Sequence, residues 1–344
     1  MTHQAVILAG GKGTRMWPLT ASRPKALLPV GGIPFLEMQL RWLSMAGMTE
    51  VLMAVGTEQR ESWDRYLADR TDDGGLRVEV TTEPEPLDTA GALVAIRNRL
   101  AERFLVLNGD VILDVDPGML LASGTGSRAR LTLTVVDDAS SYGAVRLDGA
   151  KVIAFIEKPD LASDTRTTVN AGLYLMERSV LEELPLGRRS LERDVFPLLA
   201  SKGELDGVIG EGAWVDIGTP QRYIEAHDSV ASGQTTLYDP DFGDGVFVAQ
   251  DGDWAWVGPG ATVDPTARLR RAVVLDDASI GAETEVRDAV VGWGARVKDH
   301  AVVAEYTLVG EGSVIGTGCE LRHGVRLAPG IELDTKAVTF SAPT

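Results

Sequence analysis

Short apolar runs alternate with amphipathic stretches along the first third of the chain. Runs of about four to eight apolar residues predict buried strands, and apolar residues at helical spacing predict helices with one buried face. The predicted strands are 5–9, 51–55, 77–82 and 104–107, and the predicted helices are 34–46, 58–70 and 89–103. Strands that alternate with helices in this way predict a doubly wound α/β sheet.

Between residues 131 and 232 the pattern predicts more strands than helices. The predicted strands are 131–136, 143–147, 152–156, 169–176 and 214–217, and the predicted helices are 178–184, 190–201 and 220–232. We therefore expect a mixed sheet within one domain that covers residues 1–234.

A six-residue apolar period replaces this pattern in the last third of the chain. Residues 235–250 are turn-rich and predict a linker, and residues 251–344 contain the period. The apolar residues that stand six apart without interruption are Val291, Val297, Val303, Val309, Ile315, Leu321, Leu327 and Leu333. This hexapeptide repeat is typical of a parallel β-helix with about 18 residues in each turn. Since its apolar positions fill the coil interior, we expect it to serve assembly of a homo-oligomer, a dimer or higher, rather than chemistry.

Composition and charge narrow the choice of partners. The chain has 344 residues and a formal net charge of −17, which argues against nucleic acid or an anionic membrane as partner. Its one cysteine, Cys319, excludes an internal disulfide and is expected to be an apolar filler. No leader and no apolar run of about 18 residues is present, so we expect a soluble cytoplasmic protein.

The first predicted strand leads into a glycine-rich turn with cations around it. Gly10, Gly11 and Gly13 leave main-chain N–H groups uncovered. The nearby cations are Lys12, Arg15 and Lys25. This combination predicts a receptor for a polyphosphate. It is neither a Walker loop, because Gly13 follows Lys12, nor a dinucleotide fingerprint, because Met16 stands where the third glycine belongs.

The longer motif allows a family to be suggested. Leu8-Ala-Gly-Gly-Lys-Gly-Thr-Arg15, followed by Pro18-Leu-Thr20 and Pro24-Lys25, resembles the signature of the sugar-1-phosphate nucleotidyltransferases. The likeness is greatest to mannose-1-phosphate guanylyltransferases, which have a Rossmann-like catalytic domain followed by a left-handed β-helix. The resemblance implies that Arg15 and Lys25 are catalytic. It also implies that the nucleotide contacts Leu8, Ala9, Gly10, Gly11, Gly13 and Thr14.

Two aspartates are candidate ligands of a divalent metal. Asp110 in Asn108-Gly-Asp110 and Asp216 in Trp214-Val-Asp216 each follow an apolar run, where strand ends of α/β sheets meet ligands. In the family the matching residues hold the metal, and two carboxylates with phosphate oxygens suit Mg²⁺. The alternative is that either aspartate only caps a turn.

The resemblance also assigns segments to the base and to the sugar. Residues 83–92 match the base-recognition segment, in which Glu83, Thr89 and Gly91, together with Asn108, would contact the nucleotide. Relatives that use guanine nucleotides often have a glycine where this chain has Asp88. The sugar phosphate would be bound by Tyr142, Gly143, Glu157, Lys158 and Asn170.

The expected reaction joins an NTP, with GTP as the best choice, to a sugar 1-phosphate, with mannose 1-phosphate as the best choice. Three alternatives remain open. The first is a heptose or cyclitol phosphate as the acceptor. The second is a non-catalytic sensor of nucleotide-sugars. The third is an acyltransferase in which the β-helix uses His300 or His323.

Overall fold

The chain forms two units that are interleaved along the sequence. The first unit consists of Met1–Gly11 and Gln39–Trp214, and the second of Lys12–Met38 and Val215–Thr344. The structure is a computed structural model. It describes residues 3–70, 75–83, 85–121, 126–136, 144–156, 167–237, 245–250 and 253–339.

Thirteen strands and seven α-helices precede residue 238 within the described part of the chain. The strands are β1 Gln4–Leu8, β2 Pro29–Val30, β3 Ile33–Pro34, β4 Glu50–Gly56, β5 Arg77–Glu83, β6 Arg103–Asn108, β7 Val111–Leu113, β8 Ala129–Val136, β9 Ala144–Asp148, β10 Lys151–Ile156, β11 Thr167–Glu177, β12 Leu205–Ile209 and β13 Trp214–Asp216. The helices are α1 Phe35–Met45, α2 Arg60–Asp69, α3 Asp88–Ala95, α4 Pro117–Leu121, α5 Ser179–Glu182, α6 Phe196–Ser201 and α7 Pro220–Ala231. Among the helices described, none has the length and apolar character needed to span a membrane.

A nine-stranded mixed sheet forms the centre of the first unit, in the order β5-β4-β1-β6-β11-β8-β12-β10-β9. Strands β5, β4, β1 and β6 are parallel, whereas β11 runs antiparallel to both β6 and β8. Ala5, Val6 and Ile7 of β1 are fully buried, as expected for a central parallel strand that is covered on both faces. The predicted α/β architecture of this region is confirmed.

The predicted helix 89–103 is shorter in the structure. Helix α3 ends at Ala95, and Arg97–Arg99 form a separate 3-10 turn before β6. The buried side chain of Gln4 explains the early end, because its Nε2 donates to Arg99 O at 3.0 Å and its Oε1 accepts from Ala101 N at 2.6 Å. These bonds direct the backbone into β6, which periodicity alone does not reveal.

Most of the second unit consists of short parallel strands. They are β14 Val246–Gln250, β15 Asp253–Val257, β16 Thr262–Val263, β17 Arg268–Val274, β18 Ser279–Ile280, β19 Glu285–Val291, β20 Arg296–Val297, β21 Val302–Ala304, β22 Leu308–Val309, β23 Val314–Ile315, β24 Glu320–Leu321 and β25 Arg326–Leu327. Val257 pairs with Val274, Val274 with Val291, and Val291 with Val309, so each partner lies about three hexapeptides further along the chain. Apart from β14, which is antiparallel to β15, the strands repeat in this way. The six-residue apolar positions from Val291 to Leu321 are all at most 2% exposed.

Helix α7 in the second unit contains a buried histidine. Thr219 caps the helix by accepting a bond from Arg222 N at 3.3 Å. His227 is fully buried, with its ring against Tyr223 and stacked at 6.0 Å on Trp254. Its Nδ1 lies 2.9 Å from Tyr223 O, and burial lowers the pKa of His227 to about 4.

His227 should make stability depend on pH between about 6.5 and 4. The unfolded chain protonates His227 near its ordinary pKa of about 6.5, so the unfolded state binds more protons than the folded state in this window. The stabilisation is therefore complete above about pH 6.5 and decreases as the pH falls to about 4, by about 3 kcal/mol in total. We expect His227→Leu to flatten this part of the curve of unfolding free energy against pH in urea titrations. His3→Gln, at an exposed site, is the control and should keep the wild-type slope; an equally steep slope in His227→Leu would contradict the assignment.

Candidate functional site

The beginning of the glycine turn lies beside the Asn108-Gly-Asp110 motif in the first unit. Leu8 at the end of β1 pairs with Asn108 at the end of β6, and Gly109 N donates to Leu8 O at 2.9 Å. A Cβ on Gly109 would lie 2.9 Å from that carbonyl oxygen and 3.2 Å from Ala9 Cβ. Gly109 is therefore required for the close approach of the two segments at the carboxyl edge of the sheet.

Glu83 lies at the same edge, at the end of β5. A Cβ on Gly10 would lie 3.3 Å from Glu83 Oε1, so the turn and this carboxylate are neighbours. Glu83 Oε2 accepts from Leu87 N at 2.9 Å, which fixes the beginning of the segment that leads into α3. Burial raises the pKa of Glu83. The structure thus brings together the predicted nucleotide residues Leu8, Ala9, Gly10, Glu83 and Asn108, with Gly11 next in the chain.

Asp88 has a backbone conformation that glycine adopts more readily than other residues. Its φ is +63°, in the left-handed region that glycine adopts freely and aspartate tolerates. Asp88 Oδ1 accepts from Thr89 N at 2.8 Å, and Oδ2 pairs with Arg193 Nη2 at 2.6 Å. Asp88 therefore has the backbone conformation that glycine favours, and its carboxylate also pairs with Arg193.

Gly91 is explained by packing inside the first unit. A Cβ at this position would lie 2.5 Å from Gly187 O and 2.9 Å from Leu87 Cβ, so α3 needs glycine to approach residues 187–189. Ala90 N and Gly91 N both donate to Arg189 O, at 2.9 and 3.1 Å. Contact of Gly91 with a nucleotide stays a prediction.

A bulge in β11 brings Asn170 close to Asn108. The pairing of β11 with β8 shifts between Asn170 and Tyr174, and Gly172 inside the shift has a φ of +79°. A Cβ on Gly172 would lie 3.0 Å from Asn108 Nδ2. Two motifs that are well separated in sequence therefore meet, because one residue at the bulge lacks a side chain.

Tyr174 and Glu192 were missed by the sequence analysis, although they link the predicted site residues. The Tyr174 hydroxyl accepts from Asn170 Nδ2 at 2.9 Å and donates to Glu192 Oε1 at 3.3 Å. Glu192 Oε2 accepts from Thr89 Oγ1 at 3.0 Å and from Ser190 Oγ at 2.9 Å. Burial, together with the negative charge of Glu192, raises the pKa of Tyr174 well above its ordinary value, so the phenol keeps its proton. Tyr174 is inside an apolar run and Glu192 in a charged stretch, and neither pattern signals such a role.

The second half of the glycine turn is part of the second unit. Gly13 has a φ of +61°, and a Cβ there would lie 3.0 Å from Thr20 Cγ2 and 3.2 Å from Lys25 Cβ. Thr20 Oγ1 donates to Gly13 O at 2.9 Å. The three parts of the signature therefore pack on one another. Thr14, Arg15 and Met16 form a 3-10 turn directly after Gly13, and Lys25, Ala26 and Leu27 form another.

Arg15 and Asp216 meet at Gly218, although they are far apart in sequence. A Cβ on Gly218 would lie 2.9 Å from Asp216 Oδ1 and 3.2 Å from Arg15 Nη2. Asp216 Oδ1 accepts from Gly218 N at 2.8 Å, and Oδ2 pairs with Arg222 of α7. Asp216 is only 9% exposed, whereas Arg15 is exposed. Asp216 therefore caps a turn, and its role as a metal ligand stays a prediction.

The predicted residues differ in how far the structure describes them. Tyr142, Gly143, Glu157 and Lys158 lie outside the described residues. Asp110 is in the first unit and Asp216 in the second, so a shared metal site stays a prediction. In the ranges that are described, no group of three or more His, Cys, Asp or Glu is arranged to hold a metal. The two histidines considered for acyl transfer are exposed, with His323 Nδ1 2.6 Å from Glu305 and His300 Nδ1 3.4 Å from Glu283.

Comparison with known proteins matches both regions of the chain. The nucleotidyl transferase family matches residues 4–233, and the GMPPB C-terminal domain matches residues 249–342. A probable mannose-1-phosphate guanylyltransferase 1 of Oryza sativa subsp. japonica is 34% identical over 337 residues, which cover 88% of this chain and 91% of the relative. A mannose-1-phosphate guanylyltransferase of Mycobacterium tuberculosis is 35% identical over 313 residues, which cover 88% and 84%. The crystal structure of HddC from Yersinia pseudotuberculosis complexed with GMP-PN has a TM-score of 0.57 and 26% identity, and covers 67% of this chain and all of that one.

Removal of the Tyr174 hydroxyl should weaken the network around Asn170 and Glu192. Tyr174→Phe leaves two polar groups without their partner in a buried setting, so we expect the free energy of unfolding to fall by about 1–3 kcal/mol. Urea unfolding measures this change. Tyr306→Phe, at a half-buried position of the C-terminal region outside this network, is the matched control and should lose little. Equal stabilities of the two variants would show that the hydroxyl does not hold the network.

Proposed function

Since the chain belongs to the nucleotidyl transferase family, we propose that it transfers GMP from GTP to mannose 1-phosphate and releases pyrophosphate. The chain is a nucleotidyltransferase that acts on a nucleotide and a sugar phosphate. The observation that supports guanine and mannose is the match to the rice and mycobacterial guanylyltransferases, which extends over both regions of the chain.

The nucleotide half of the proposed site uses the groups at the carboxyl edge of the first unit. Gly10 and Gly11 follow β1 and give the phosphates access to main-chain N–H groups, and the Cβ direction of Gly11 has no atom within 4 Å. Glu83, Thr89 and Gly91 are proposed to bind the base and ribose. Asp88 retains the backbone conformation of that segment, so its presence is compatible with a guanine nucleotide.

Catalysis in this proposal depends on positioning and on stabilisation of charge. An oxygen of the sugar 1-phosphate attacks the α-phosphorus in line, the bond to the bridging oxygen breaks, and pyrophosphate leaves with that electron pair. The attacking oxygen is already anionic near neutral pH, so no general base is needed. Arg15 and Lys25 stabilise the negative charge that develops on the α-phosphate and on pyrophosphate. Asn170, Tyr142, Gly143, Glu157 and Lys158 are proposed to orient the sugar phosphate.

Asp110 and Asp216 are proposed to hold Mg²⁺ with the nucleotide. The contacts of Asp216 with Gly218 N and Arg222 fix the direction of its carboxylate, and carboxylate oxygens are ligands that suit Mg²⁺. Asp110 follows β6 at the edge where the glycine turn begins. Bound Mg²⁺ would neutralise phosphate charge and complete its shell with phosphate oxygens.

We propose that the C-terminal region is a left-handed β-helix that supports a homo-oligomer. The catalytic domain is proposed at 1–234, the linker at 235–250, of which the last five residues form β14 and pair with β15, and the β-helix at 251–344. Parallel pairing of strands about three hexapeptides apart supports the coil. Strand β14 lies at the edge of its sheet and exposes Val246 and Val248, which supports association through this edge.

Pyrophosphate release over four NTPs and a panel of sugar 1-phosphates tests the function. We expect GTP with mannose 1-phosphate to give the highest kcat/KM, and Arg15→Ala to lower kcat by about 10²–10³-fold. Arg146→Ala, which removes an exposed arginine on β9, is the control and should keep the wild-type rate. A higher kcat/KM with a heptose or cyclitol phosphate would identify that compound as the acceptor in place of mannose 1-phosphate. No pyrophosphate release with any pair would favour the non-catalytic sensor.

The metal proposal is tested by titrating turnover against Mg²⁺ for Asp110→Asn and Asp216→Asn. Each variant keeps the shape and removes one charge, so we expect a large fall in kcat and partial recovery at high Mg²⁺. Asp264→Asn is the matched control, since Asp264 Oδ1 also caps a turn, at 2.9 Å from Thr266 N, but lies in the C-terminal strands. A titration curve that superimposes on the wild type would remove that aspartate from the metal site.

A further inference from the structure

Turns between the C-terminal strands hold the side chain of Arg23, which lies two residues before Lys25. Arg23 Cζ lies 3.7 Å from the ring centroid of Trp293. Its Nη2 is 3.9 Å from Glu311 Oε2, and Ser22 Oγ donates to the same carboxylate oxygen at 3.1 Å. Asp276 also faces this cation: burial raises the pKa of Asp276, and the charge of Arg23 opposes that rise. Trp293, Glu311 and Asp276 are called the Arg23 socket below.

Among these contacts, stacking on Trp293 contributes more to holding Arg23 than the ion pair with Glu311 does. An ion pair at 3.9 Å between side chains that are 38% and 44% exposed contributes little by itself. Trp293 is 7% exposed, so the guanidinium covers a nearly buried indole face, and a cation in that position is attracted by the ring.

Two further contacts bind the same segment to the rest of the second unit. The Tyr223 hydroxyl of α7 donates to Pro29 O. A Cβ on Gly32 would lie 2.6 Å from Trp256 Cζ2, so the turn between β2 and β3 sits against the indole of β15. Segment 12–38 is therefore attached to the C-terminal region at Arg23 and Gly32, and to α7 at Pro29.

Segment 13–28 needs such support because its own hydrogen bonds are local. Met16 N donates to Gly13 O, Leu19 N to Met16 O, and Leu28 N to Lys25 O, at 2.9, 3.0 and 3.0 Å. Three-residue turns of this kind are marginal when isolated. Pro24 restricts the backbone between Arg23 and Lys25, so a fixed Arg23 also limits where Lys25 can be. Lys25 in turn packs on Gly13, which precedes Arg15.

We propose that the Arg23 socket positions segment 13–28, which contains Arg15 and Lys25, so that Arg23, Trp293 and Glu311 are positioning residues for transfer to the α-phosphate. The proposal rests on the proposed function for its effect on turnover, and on the contacts above for its effect on the segment. It extends the expectation that the repeat serves assembly alone, because a C-terminal residue then determines the placement of Lys25 and Arg15.

The test uses point variants of the full chain. Arg23→Met and Trp293→Leu remove the two partners of the stack, while Arg23→Lys and Trp293→Phe keep a cation and a ring. Arg322→Leu is the matched control, because Arg322 pairs with Glu305 and Glu320 on the C-terminal strands and not with segment 12–38. Amide hydrogen exchange of residues 13–28, kcat, KM for each substrate and the midpoint of thermal unfolding are measured for all variants.

We expect Arg23→Met and Trp293→Leu to accelerate exchange in residues 13–28 and to lower kcat by about ten- to a hundredfold. The unfolding midpoint should change little in Arg23→Met and should fall in Trp293→Leu, because a nearly buried indole is truncated. The double variant should lose no more than either single variant, because both remove the same contact. Arg23→Lys and Trp293→Phe should recover most of the rate, and Arg322→Leu should match the wild type.

Wild-type exchange in both single variants would overturn the proposal, as would faster exchange with an unchanged kcat. Additive losses in the double variant would likewise overturn it, because the two residues would then act separately. If the wild type turns over no substrate pair, the proposed function fails, and the exchange measurement alone decides whether the socket holds segment 13–28.

Discussion

The pairing of β1 with β6 is the constraint on which the nucleotide half of the site depends. Both strands are buried and parallel, and their register places Leu8 opposite Asn108. The backbone that follows each strand therefore emerges at the same edge, where carboxyl ends of parallel strands leave main-chain groups available to ligands. A slip of one residue would turn every side chain of β1 to the other face of the sheet and misalign the glycine turn with Asp110.

A network of buried polar side chains holds several of the predicted site residues. A buried phenol and a carboxylate join Asn170 to Thr89, so the strand proposed to contact the sugar and the helix proposed to contact the base are not independent. Buried polar groups require partners, because an unsatisfied one costs more than a bond contributes. Tyr174 and Glu192 satisfy each other, and in doing so they fix the backbone that carries the predicted ligand contacts.

The second unit contains segment 12–38 as well as the C-terminal strands. Segment 12–38 contains Arg15 and Lys25, while Asp216 and Gly218 begin the stretch that leads into α7. The meeting of Arg15 and Asp216 at Gly218 joins residues from opposite ends of the predicted catalytic domain. Contacts of Arg23 with Trp293 and of Gly32 with Trp256 then make the repeat part of the surroundings of this segment. The proposed positioning role of the repeat is compatible with its proposed role in assembly, since assembly would use the exposed edge and positioning would use nearly buried indoles.

The sequence by itself determined the features that depend on local pattern. Alternating strands and helices predicted the α/β sheet, the six-residue period predicted which valines are buried in the C-terminal region, and the motif from Leu8 to Lys25 predicted the family. Such features follow from periodicity and from the chemistry of short segments, which neighbouring residues encode directly.

Only the tertiary structure decided how distant residues are joined. Helix α3 ends early because Gln4 binds the backbone at Arg99 and Ala101, although the periodicity continues. Tyr174 and Glu192 acquire a role through burial and through partners that are distant in sequence, such as Thr89 for Glu192. The stack of Arg23 on Trp293 brings segment 13–28 to a repeat that lies near the other end of the chain. Long-range contacts depend on the packing of whole elements, and no local pattern in a single sequence specifies which side chains that packing brings together.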